Sequence, residues 1–140
     1  MYEVPERGTP VVAAWAEEIR LARVETPATG APGSSFEATL IWQAGGPATR
    51  NWKVFFHLVD AAGETRAQAD AFPAGGTAPA SGWRTGEVIV DVHAFNLPPD
   101  LPPGEYRFHV GLYDEATQER IEFAGGGDTF VLPQALEVRP

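Results

Sequence analysis

The chain has no cysteine, one methionine and a single lysine, Lys53. Without cysteine there is no disulfide, no thiolate zinc centre and no cysteine nucleophile, although an extracellular domain with an adequate core needs no disulfide. Basic residues are scarce: ten Lys and Arg face 19 Asp and Glu, a formal net charge of −9. Neutralising phosphate takes a basic patch, so nucleic acid and an anionic membrane surface are excluded as partners. No apolar run approaches the ~20 residues of a membrane span, so no direct membrane insertion by this segment is expected. The opening Met1-Tyr-Glu-Val-Pro-Glu-Arg7 lacks a basic region followed by an apolar one and so does not read as a signal peptide.

Turn-forming residues are abundant instead. Thirteen prolines and 15 glycines among 140 residues suit many short strands joined by turns better than helices. With 44% hydrophobic and 21% charged residues the composition is that of a folded domain, and the length allows one real core.

Residues 1–18 read as a lead-in, with a helical turn at most around Val11 to Glu18 after Pro5 and Pro10. The spacing predicts strands over 19–25 and 36–44, the latter with Phe36, Ala38, Leu40, Trp42 and Ala44 inward and Ile41 out of pattern. A strand over 52–60, apolar on both faces, suits the middle of a sheet and leads through the tight turn Asp60-Ala-Ala-Gly63-Glu64 to a return strand over 65–72. After a Gly/Ala/Pro loop over 73–82, residues 87–93 alternate Val88, Val90 and Val92 against Ile89, Asp91 and His93.

The most informative stretch begins Leu97-Pro-Pro-Asp-Leu-Pro-Pro-Gly104, which no helix or central strand accepts. It then alternates Tyr106, Phe108, Val110 and Leu112 against Arg107, His109 and Tyr113. A connection crossing the end of a sandwich and dropping into a central strand fits this pattern, with Tyr106 as a tyrosine corner. Further strands are predicted over 118–123 and, interrupted by Pro133, over 129–138. The fold class is therefore all-β, an antiparallel immunoglobulin-like or fibronectin III-like β-sandwich of about seven to eight strands, forming one domain over 19–140.

Three segments in order, 54–73, 83–91 and 101–114, resemble a β-sandwich module at the C-terminal end of large bacterial multi-span membrane proteins, including glycosyltransferase-like ones, notably in Chloroflexi. Their motifs are Val54-Phe-Phe-His-Leu-Val-Asp60, Trp83-Arg-Thr-Gly86 and Leu101-Pro-Pro-Gly104-Glu-Tyr106. The resemblance implies an immunoglobulin-like fold, an extracytoplasmic location in the cell envelope and a piece cut from a longer chain. It implies no activity and assigns no ligand residue.

Candidate chemistry is sparse. Ser34, Ser35 and Ser81 are the only serines and none lies in Gly-x-Ser-x-Gly, while Gly125 to Gly127 lead to no Gly-Lys-Ser/Thr. No carboxylate pair stands out for glycoside hydrolysis, so no catalytic residue and no cofactor is expected. His57 and His109 are expected as cross-strand neighbours, a weak seed for a metal, and Asp114-Glu115 is the best local pair for calcium, but hydrogen-bonded histidines and turn-capping aspartates are the expected roles. Trp42 reads as core, Trp52 as half-buried and Trp15 as docking on the domain or a neighbour. Trp83, after the 73–82 loop, either plugs that loop onto the sandwich or offers a face for sugar stacking. The expected function is a non-catalytic accessory module that contacts a protein partner or the remainder of its own chain through loops at one end. The 75–83 loop is the expected contact, and the alternative is a carbohydrate-binding module using Trp83.

Overall fold

The computed structural model describes residues 3–140. Ten strands form two facing sheets: β1 (Thr9–Trp15), β2 (Ile19–Glu25), β3 (Thr29–Gly30), β4 (Ser35–Ala44), β5 (Lys53–Val59), β6 (Thr65–Gln68), β7 (Val88–Asn96), β8 (Gly104–Tyr113), β9 (Phe130–Val131) and β10 (Leu136–Val138). One sheet runs β1-β2-β4-β7; the other runs β3-β10-β8-β5-β6, with β9 also bonded to β8. Pairing is antiparallel except between β10 and β3. The all-β sandwich expected from the spacing is the observed fold.

β8 shows why. Its alternation buries Tyr106, Phe108, Val110 and Leu112 between the sheets and leaves Arg107, His109 and Tyr113 on the outer face. The Tyr106 hydroxyl donates to the Pro102 carbonyl at 2.6 Å, closing the predicted corner. β5 lies between β8 and β6, so its inner Val54, Phe56 and Leu58 are buried, and so is the outward Phe55. Two aromatic groups fill the middle. Phe56 meets Phe95 at 5.0 Å and Phe108 at 5.6 Å between centroids, edge to face. Trp15 meets Trp42 at 5.4 Å and Phe123 at 5.1 Å. Such pairs add about 0.5–1.5 kcal/mol each beyond the area they bury.

Two expectations need correction. The lead-in is no lead-in over its second half: Thr9–Trp15 is an edge strand paired with β2, and Trp15 is 2% exposed with its Nε1 donating to the Asp128 carbonyl at 3.2 Å. A bulge between Pro10 and Ala13 breaks the alternation that would have revealed it, and the chain turns at Ala16–Glu18 with Glu17 and Glu18 at positive φ. The domain therefore includes residues 9–18. Residues 118–123 form no strand; the turn at Gln118, φ 64°, brings the segment back beside β8, where it attaches only by single bridges, Arg120 to Tyr113 and Phe123 to Trp15. β7 alternates as expected, and the structure decides its inward face: Ile89, Asp91, His93 and Phe95 face the core, while Val90 and Val92 are exposed on the outer face.

Candidate functional site

The outer face of the larger sheet carries the polar residues in ranks set by register. Gln68 of β6, His57 of β5 and His109 of β8 form one rank, since His57 pairs with both. Phe55 and Gly111, paired across β5 and β8, form the next, and Lys53 and Tyr113 a third. Asp70 follows β6 on the edge, and Arg120 bridges onto Tyr113 from the other side. Together Phe55, His57, Gln68, Asp70, Tyr113, Gln118 and Arg120 enclose a cleft of about 180 Å³.

Its floor depends on one glycine. A Cβ on Gly111 would lie 2.1 Å from the Phe55 ring and 2.6 Å from the Asp128 carbonyl oxygen, so only glycine lets Phe55 lie flat across β8. The Arg120 guanidinium stacks over that ring, 4.4 Å from its centroid, and reaches the Asp128 carboxylate at 3.4 Å. Phe55 is thus a buried floor.

Asp70 is the carboxylate of the cleft. Its Oδ1 accepts the Phe56 amide at 3.0 Å, and its Oδ2 lies 3.5 Å from the Tyr113 hydroxyl. His57 Nε2 lies 3.1 Å from Oδ1, yet off the line a hydrogen bond requires, and this buried nitrogen has no hydrogen-bond partner in the protein. Burial would raise the Asp70 pKa, but His57, the Phe56 amide and the Lys53 charge outweigh it and hold the carboxyl below its ordinary range. Burial, and then the neighbouring His57, push the His109 pKa down. Burial followed by the Asp70 charge raises that of Tyr113. The cleft therefore offers one anionic acceptor, a guanidinium, two amides and a phenol within one small concavity, with the His57 nitrogen buried beneath them.

The expected site residues fall elsewhere. Trp83 is 2% exposed and its Nε1 donates to the Ala78 carbonyl at 2.8 Å, so neither ring face is open to a sugar and the stacking platform fails. It plugs the loop, which is further held by buried Pro73 and Ala80. Trp42 is core, as expected, and Trp52 is buried rather than half-buried, with the Arg50 guanidinium 5.3 Å from its ring. Asp114 caps its turn, Oδ1 accepting the Ala116 and Thr117 amides, while Glu115 pairs with Lys53. Asp60 does the same for the β5–β6 hairpin through the Ala62 and Glu64 amides. The His57–His109 adjacency is as expected. No group of three or more His, Asp or Glu is arranged to hold a metal among the described residues. The sequence carries no signal that brings Asp70, Gln68 and Arg120 together, because they come from turns and short strands whose register no periodicity fixes.

Neither a protein-family model nor a curated protein sequence matches the chain. Solved structures do. The C-terminal domain of Wzt is similar over 96% of this chain and 83% of its own, with a TM-score of 0.63 and 14% identity. A Niemann-Pick type C2 protein from the Japanese carpenter ant is similar over 98% of this chain and 100% of its own, with a TM-score of 0.50 and 12% identity. At these identities the likeness is one of fold, a β-sandwich domain. No helix among the described residues is long and apolar enough to cross a membrane.

Proposed function

We propose that this chain is a non-catalytic, immunoglobulin-like accessory module of a larger bacterial envelope protein, placed outside the cytoplasm, and that it binds a saccharide in the Asp70–Arg120 cleft. The observation that carries the reading is the cleft itself: fixed donors and acceptors of both kinds converge on a space of about 180 Å³. That is below the roughly 300–1,000 Å³ of drug-sized pockets and suits one unit of a chain lying across an open sheet. A hydroxyl-rich ligand uses mixed donors and acceptors without needing charge neutralisation, in keeping with the net charge of −9. The likeness to a domain at the C-terminal end of Wzt supports the reading as a module of a longer chain.

The test is a glycan array followed by calorimetry on the hits, with wild type, Gln68→Ala and Arg120→Ala compared. Binding weakened at least about tenfold in each variant, with unchanged folding, supports the cleft; about 1.4 kcal/mol corresponds to that factor. No binding above background, or binding indifferent to both substitutions, overturns it.

A further inference from the structure

β6 and β7 lie at the ends of opposite sheets, and a buried polar bridge joins β7 to the 69–74 segment that follows β6. Asp91 and His93 project inward from β7 with 0% and 2% exposure. Asp91 Oδ2 accepts Trp42 Nε1–H at 3.0 Å and lies 2.7 Å from His93 Nε2. Its Oδ1 accepts the Ala74 amide at 2.9 Å. His93 Nδ1 lies 2.6 Å from the Ala69 carbonyl oxygen. A carbonyl oxygen only accepts, so Nδ1 carries a proton. Two other N–H groups already donate to the Asp91 carboxyl, and the 2.7 Å contact of the same group with Nε2 is met by a proton on that nitrogen as well. The pair is an imidazolium and a carboxylate, balanced in charge and buried together.

The two residues it grips, Ala69 and Ala74, bracket Asp70. We infer that the buried Asp91–His93 pair is a protonation-dependent clamp on the 69–74 segment, holding Asp70 in place in the cleft. The clamp's functional meaning rests on the reading of that cleft as the binding site. The Asp91 carboxylate holds the Nε2 proton, so deprotonation falls on Nδ1 and sets its lone pair against the Ala69 carbonyl oxygen. One side must then give. β7 is paired with β4 along its whole length, from Val88 to Asn96, whereas the segment is tied to β5 by the Ala69 and Ala71 amides and the Val54 amide. The segment is the side that moves. The charged groups facing the ring are Asp91 on its own strand and Asp70 on the segment, both of which favour the imidazolium; Phe56 of β5, at 5.4 Å, and Trp42 of β4 are uncharged. Burial opposes the charge, and Asp91 more than offsets it.

Long-range 1H–15N spectra of the His93 ring at pH 7, and amide exchange protection at Ala69 and Ala71 against pH, decide the matter. Both ring nitrogens protonated, with protection at 69 and 71 falling as the ring titrates while Val110 of β8 stays protected, is the expected result. An unprotonated ring nitrogen at pH 7, or loss of protection at Val110 in step with the segment, overturns the clamp. His93→Gln, which cannot carry the charge, is expected to abolish the pH dependence at 69 and 71; persistence of that dependence overturns the inference, and if the variant does not fold, the wild-type spectra still decide. None of these readouts needs a ligand, so they judge the clamp even where no saccharide binds and the cleft reading fails.

Discussion

The Tyr106 hydroxyl donates to the carbonyl of Pro102, four residues upstream, at 2.6 Å, while its ring is buried between the sheets. The bond ties the proline-rich crossover to the start of β8, where Leu101 and Leu97 are also buried. Tyr106→Phe keeps the ring and loses only that bond. A net intramolecular hydrogen bond contributes about 0.5–1.5 kcal/mol, so the unfolding free energy should fall by that amount, read as a lower urea midpoint with an unchanged slope. Saccharide affinity should not change, since the corner lies away from the cleft. Unaltered stability would show that the corner does not hold the crossover.

The contrast between β8 and its surroundings shows what the sequence makes legible. Strict alternation from Tyr106 to Leu112, and the prolines before it, suffice to place a central strand and its corner, because period and breaker chemistry are local. β1 escapes the same reading, since its bulge at residues 10–13 and the positive φ of Glu17 and Glu18 disrupt the pattern. β7 alternates clearly, yet alternation cannot say which face is inward. The buried face includes Asp91 and His93, whose partners include the Ala69 and Ala74 backbone, distant in sequence and joined to β7 only by the fold. The cleft is legible in one rank only, His57 beside His109; Asp70 and Arg120 depend on long-range placement.

Trp83 gives a second prediction. Its indole is buried and donates to Ala78, so Trp83→Ala removes a large core side chain and a hydrogen bond together. A loss of about 3–5 kcal/mol is expected from denaturant unfolding. In the protein that remains folded, saccharide binding should match wild type. Affinity lost without loss of stability would return Trp83 to the binding surface.

The cleft floor gives a third. Gly111→Ala places a methyl group where the Phe55 ring and the Asp128 carbonyl already lie. Phe55 must lift, and the Arg120 guanidinium stacked on it must lift as well. Overpacking of this kind costs about 1–3 kcal/mol, and because the strain falls on the cleft, binding should weaken by more than stability alone explains. A crystal structure of the variant with Phe55 unmoved would refute this account of the floor.

Stability should depend on pH in opposite directions through Asp70 and His93. The folded-state pKa of Asp70 is lowered, so its contribution is present above the unfolded value of about 3.9 and is lost as pH falls through the folded pKa. That of His93 is raised: burial opposes the charge, but the Asp91 hydrogen bond and charge prevail. Its contribution is therefore complete below the unfolded value of about 6.5 and disappears as pH rises through the folded pKa. Unfolding free energies from urea titrations at several pH values should form a dome with its top between those limits. Asp70→Asn should flatten the acid side and leave the alkaline side, and His93→Gln should do the reverse. A wild-type stability that continues to rise above the His93 titration would contradict the imidazolium–carboxylate pair, since a neutral ring in that position leaves nothing to lose.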